Sequence, residues 1–165
     1  MVARARSSGP LAAASAAVDE AHVLTALQDV VDPEIPTISI VDLGMVGAID
    51  IDDDRIRVEL SPTFIGCHAL GLIQTAVEER LASLGRQVAA VSSMATPWTS
   101  DRISAAGRAS LRRAGIAPPS APEDVRCPFC GSEDIAMDNA FGPAQCRSLF
   151  YCRGCRQPFE AFKPI

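Results

Sequence analysis

Apolar residues recur at helical spacing from about Val18 to Val31: Val23, Leu24, Leu27, Val30 and Val31 fall on one face. Asp19 and Glu20 stand at the start of this helix, where negative charge suits the helix dipole. Asp32-Pro33 ends it, because proline disfavours helical backbone in the residue before it, and Ile35-Pro36 then forces an extended turn. The period next changes to two. Met45 to Ile51 and Arg55 to Leu60 read as strands around the polar turn Asp52-Asp53-Asp54. Ile56, Val58 and Leu60 alternate with Arg55, Arg57 and Glu59, as in a strand with one buried face.

Ser61 to Cys67 is read as a loop. Helical spacing returns from about His68 to Leu84, in Leu70, Ile73, Ala76, Val77, Leu81 and Leu84, with Gly85 as its stop. Gln87 to Met94 is a third strand. A third helix starts after Thr96-Pro97-Trp98, with Thr99 or Ser100 as N-cap, and runs to about Ala114 before Gly115. The order helix–strand–strand–helix–strand–helix predicts a two-layer α+β domain with a mixed sheet over residues 18–115. Residues 116–124, with three prolines and no apolar period, read as a semi-rigid spacer. Residues 1–17 are too alanine-rich for a signal-peptide core and read as a disordered tail.

The cysteines add a second module over residues 125–165. Cys127 and Cys130 form one C-x-x-C pair, Cys152 and Cys155 another. Each pair can put two thiolates on one turn, and the stretch between allows a hairpin, with strands at 135–137 and 148–151, to join them around one tetrahedral ion. Four thiolates suit structural zinc and leave no open position for catalysis, so a small β zinc ribbon is expected. A single iron in a rubredoxin-like site is the lesser alternative. Cys146 is then left over as a spare thiol. Cys67 stands alone, placed by the pattern at the N-terminus of the second helix, where unpaired N–H groups favour a thiolate; Thr63 is close enough to orient it. His68 is adjacent in sequence and does not face it on a helix, so a cysteine hydrolase pair is not supported.

Net charge is −5, and the acidic excess lies in the first hundred residues. That argues against a nucleic-acid binder, and no apolar run approaches a membrane span. Thiol-rich metal chemistry suits a reducing cytoplasm.

Three motifs in order, Asp32-Pro33-Glu34, Val41-Asp42-Leu43-Gly44 and Thr63 to Cys67, resemble the iron–sulfur cluster assembly domain family over about residues 18–100. Adding Thr96-Pro97-Trp98, the Leu-Arg-Arg-Ala-Gly segment and the cysteine-rich end, nearly all the chain after the tail resembles the PaaD family of phenylacetyl-CoA ring-epoxidase systems in phenylacetate degradation. The resemblance implies an accessory protein, not itself catalytic, that assists iron-centre maturation or insertion; a non-catalytic structural subunit of the oxygenase complex is the alternative. It implies oxygenase and reductase components as partners and a transient iron or iron–sulfur cluster as cargo. The family cysteine maps onto Cys67, with Thr63, Asp42 and Glu34 supporting it. Many relatives have proline after this cysteine; here it is His68.

Overall fold

The computed structural model describes residues 18–165; the tail expected over residues 1–17 lies outside them. Helix α1 spans Glu20–Leu27, and the carboxylate of its N-cap Asp19 accepts the His22 N–H at 2.9 Å. In place of the simple extended turn expected next, two short strands pair antiparallel: β1, Val31–Asp32, and β2, Ile35–Ser39. The buried Asp32 builds the turn between them. Its Oδ1 accepts the N–H groups of Glu34 and Ile35 at 2.8 and 3.0 Å, a side-chain turn of the kind aspartate favours.

Strands β3, Val46–Ile51, and β4, Arg55–Leu60, pair antiparallel, while β5, Gln87–Ser92, joins β4 in parallel. The sheet is therefore mixed, in the order β3-β4-β5. Helix α2, Leu70–Leu81, makes the crossover that a parallel pair requires. It ends in a 3-10 turn over Ala82–Leu84, and Gly85 closes it with a φ of 73°. The strand alternation holds: Ile56, Val58 and Leu60 are fully buried, packed with Leu27, Ile38, Leu43, Ile73 and Leu81 in the main core.

The third helix differs from expectation at its start. Thr99 and Ser100 lead only into a 3-10 turn, Ser100–Arg102, and extended backbone at Ile103 interrupts it. Helix α3, Ala105–Arg113, is capped by Ser104, whose Oγ accepts the Gly107 N–H at 2.9 Å. Gly44 serves this packing. Its φ is 74°, and a Cβ there would lie 2.5 Å from the Arg102 carbonyl oxygen, so only glycine allows the approach.

The C-terminal module is a four-stranded sheet in the order β6-β9-β8-β7, built from β6, Ile116–Ala117, β7, Ile135–Asn139, β8, Arg147–Cys152, and β9, Pro158–Phe162. The segment expected to act as a spacer is thus corrected at its start: Ile116 and Ala117 pair in parallel with Glu160 and Ala161. Both residues are buried, and buried backbone groups need partners, which the edge of β9 supplies. Further contacts tie the module down. Phe162 belongs to the main core and lies with its ring 5.7 Å from that of Trp98, whose Nε1 donates to the Leu43 carbonyl at 2.9 Å. Among the described residues no helix is long and apolar enough to cross a membrane.

Candidate metal and thiol sites

The two C-x-x-C turns converge as their spacing predicts. The four sulfurs of Cys127, Cys130, Cys152 and Cys155 lie within 4.8 Å of one another. Cys127 is 3.6 Å from Cys155 and Cys130 is 3.6 Å from Cys152. Zinc–sulfur bonds of about 2.3 Å give a tetrahedron with edges of about 3.8 Å, so this set fits one zinc ion. Each knuckle is held by backbone: the Gly131 N–H donates to the Cys127 carbonyl at 2.9 Å, and the Cys155 N–H approaches Cys152 Sγ at 3.5 Å. That last contact draws the Cys152 thiol down to about 7, while burial first of all pushes Cys155 up to about 12. Four thiols this close need a divalent cation before all of them ionise.

Cys67 occupies a different setting from the one its sequence suggests. Helix α2 begins at Leu70, so Cys67 lies three residues ahead of it, in a turn where its N–H donates to the Phe64 carbonyl at 3.2 Å. Gly66, with a φ of 84°, makes the turn. The expected lowering of the thiol pKa does not follow. Burial pushes it up, the charges of Asp32 and Glu34 add to this, and the N–H groups of Ala69 and Leu70 offset only part. The thiol is half-buried.

The structure brings Thr63 and Glu34 to Cys67, along with His68, around a cleft of about 50 Å³. It also brings a residue that the sequence pattern leaves aside. Cys146, from the loop before β8, lines the same cleft. The Thr63 hydroxyl acts on this second thiol: burial raises the Cys146 pKa, with Arg147 and then Thr63 pulling it back. The signal lies in the count, since a fifth cysteine has no place in a four-ligand site.

Asp42, by contrast, is not among the cleft residues. Its Oδ1 accepts from Ser104 Oγ at 2.6 Å and its Oδ2 from Ser39 Oγ at 3.2 Å, while its carbonyl accepts the Ser104 N–H at 2.9 Å. It bolts the end of β2 to the start of α3. Asp32 takes the nearer acidic position, and burial raises its pKa despite the two N–H groups it accepts. Arg147 carries no signal in the sequence pattern. Its side chain is buried, with Nη1 2.7 Å from Glu160 Oε2 and Nη2 3.4 Å from Glu34 Oε2. It clasps the ribbon onto the first domain beside the two thiols.

Fold and sites define a class: an α+β domain with a loop thiol, closed over by a four-cysteine ribbon that contributes another. Residues 20–93 match the family described as "Iron-sulfur cluster assembly protein", and residues 114–163 match the "PaaD zinc beta ribbon domain". The chain is 34% identical over 161 residues to a protein of Escherichia coli (strain K12) named as a putative 1,2-phenylacetyl-CoA epoxidase subunit, covering 92% of this chain and 98% of that one. It belongs to the PaaD family. Among solved structures it resembles a Domain of Unknown Function DUF59 from Bacillus anthracis, with a TM-score of 0.52 and 26% identity over 56% of this chain and 90% of that one. A Conserved Hypothetical Protein TM0487 from Thermotoga maritima gives 0.49 and 31%, over 57% and 94%.

Proposed function

We propose that this chain is an accessory component of a phenylacetyl-CoA epoxidase system, and that it helps to fill or mature an iron centre in the oxygenase or reductase component. The observation that carries the reading is the placement of Cys67. It sits in a small cleft of an assembly-type domain, beside a carboxylate, a hydroxyl and an imidazole, with no closed ligand set around it among the described residues. Resident iron–sulfur clusters are normally held by four ligands. An incomplete set suits cargo that is passed on. The cleft is also small for an organic substrate, since ligand pockets are commonly about 300–1,000 Å³. That favours an accessory role over turnover of a CoA thioester here.

In this reading each part has a task. Gly66 and the Phe64 carbonyl hold the Cys67 turn. Asp32 and Glu34 bring negative charge that favours a cation and adds to burial, the larger cause, in raising the pKa of the thiol. The zinc of the ribbon is structural and fixes the wall that carries Cys146 and Arg147. Free thiols throughout suit a reducing cytoplasm. The name of the Escherichia coli relative, a subunit, favours a second reading as a structural component of the oxygenase.

The test is Cys67→Ser in cells that depend on this protein, with far-UV circular dichroism and thermal unfolding of the purified variant. We expect loss of growth on phenylacetate with an unchanged fold. Growth at the normal rate would remove the thiol from the mechanism.

A further inference from the structure

We propose that the crevice along the seam between the two domains docks an extended, uncharged segment of a partner polypeptide, gripped through a backbone amide by Arg147 and Glu160. The site holds no thiol, needs no iron and goes beyond the maturation reading.

The crevice has a volume of about 500 Å³, within the range of about 300–1,000 Å³ common for bound organic groups. β2 and the end of α3 form one wall; β8, β9 and the first zinc knuckle form the other. Most of the lining is apolar, including Ile35, Pro36, Ile116, Leu149 and Phe159. Phe129, from the knuckle between Cys127 and Cys130, stands at the rim and is 57% exposed. Its ring covers Gly115, where a Cβ would come within 2.9 Å of it, so glycine is what lets the ring lie there.

One buried polar pair interrupts this apolar surface. The Arg147 side chain is 8% exposed and lines the crevice, and its Nε is buried with no hydrogen-bond acceptor among the described residues. Glu160 Oε2, 2.7 Å from Nη1 of the same guanidinium, is buried and accepts no hydrogen bond from them. A buried donor or acceptor left unpaired is costly, so this pair marks where a ligand's acceptor and donor belong. An amide offers both, and a polypeptide backbone offers them at every residue but proline. Charge disfavours the other classes. Glu34, Glu160 and Arg147 are the charged residues of the lining, so a carboxylate or phosphate meets a net negative wall. An ammonium pairs with the carboxylates but leaves Arg147 Nε unmatched. No cysteine, histidine or serine lines the crevice, which suits binding rather than turnover. The open rim at Phe129 and Pro36 suits a chain laid across the seam rather than an enclosed small molecule. Glu34 also lines the thiol cleft, so a docked segment holds its protein beside Cys67.

The experiment follows the Arg147 Nε–H resonance by NMR in the full, zinc-loaded chain, assigned by its absence from Arg147→Lys. Three probes are titrated: N-acetyl-leucine N-methylamide, a capped tetrapeptide with the same leucine among glycines, and N-acetyl-leucine with its free carboxylate. We expect the neutral amide to move the resonance, the tetrapeptide to bind at least fivefold more tightly, and the free carboxylate at least fivefold more weakly. Phe129→Ala, at an exposed position, should bind the tetrapeptide at least fivefold more weakly with zinc still at one per chain. No movement with any probe overturns the site and means that water alone completes the buried pair. Equal binding of the carboxylate means that the site does not read an amide. Equal affinity for the single unit and the tetrapeptide makes it a small-molecule pocket and not a docking crevice. Unchanged tetrapeptide affinity in Phe129→Ala places the peptide elsewhere and overturns the proposal.

Discussion

Arg147→Met tests whether the ribbon is clamped over the thiol cleft. Methionine keeps much of the packing of the arginine stem and removes the charge. Arg147 is 8% exposed, Glu160 26% and Glu34 38%. The contact to Glu34, at 3.4 Å and more than a third exposed on one side, is close to a surface pair of about 0–1 kcal/mol. The contact to Glu160, at 2.7 Å, is an ion pair without hydrogen-bond geometry, its Oε2 buried and otherwise unpartnered, so its worth lies in charge compensation. Only one partner is removed, so the Glu160 carboxylate is left half-buried without its cation, and the sign is destabilising. A fully buried pair broken on one side costs roughly 3–5 kcal/mol, and with Glu160 26% exposed the expected loss is about 1–3 kcal/mol, or roughly 2–12 °C in Tm for a chain of this size. Thermal unfolding at pH 7 and fixed zinc measures it, and alkylation of Cys146 should speed up as the cleft opens. Arg147→Met/Glu160→Gln should recover part of the loss. A Tm within about 1 °C of the unaltered protein, with Cys146 labelled no faster, would refute the clamp.

Zinc should be present at one ion per chain and be lost from a Cys130→Ser/Cys152→Ser double variant. Metal binding to such modules is worth about 10–16 kcal/mol, so the ribbon should unfold with it; elemental analysis and circular dichroism decide, and full zinc in the variant would contradict the assignment. Asp32→Asn should raise stability at pH 7. Burial lifts the folded-state pKa of this carboxyl above its ordinary 3.8, so its ionisation weakens the fold as pH rises through that folded value. Asparagine keeps the Oδ1 acceptor for Glu34 and Ile35, and the advantage should vanish below pH 3.8 in denaturant titrations across pH. An equal advantage at both ends of the range would mean that charge is not its source.

Much of the fold can be read from local pattern, because its elements follow the two hydrophobic periods. The strict alternation in β4 and the stripe of α2 survive unchanged into the core. What local pattern misses has one physical cause, contact between residues far apart in sequence. β6 is a two-residue strand defined only by the edge of β9. The pattern places the third helix early because Thr99 and Ser100 look like caps, whereas Ser104 is the cap and is itself tied to Asp42. The four ribbon cysteines are legible because two C-x-x-C pairs carry their own geometry. Cys67 is legible too, but its thiol pKa moves opposite to the expectation: the helix starts later, and Asp32 and Glu34 approach from β1 and the turn after it. Asp42 shares a motif with the site without sharing its cleft. Cys146 and Arg147 gain their roles only from the placement of the ribbon against the first domain.

The most direct test of the central claim is the iron content of the epoxidase components themselves. Oxygenase and reductase are purified from cells with this chain, without it, and with Cys67→Ser in its place, then assayed for iron and for epoxidation of phenylacetyl-CoA. The account predicts normal polypeptide levels in all three, with iron missing and activity lost where the chain or its Cys67 thiol is absent. Full iron in components from deficient cells, with activity restored only by adding this protein in stoichiometric amount, would contradict it and identify a structural subunit.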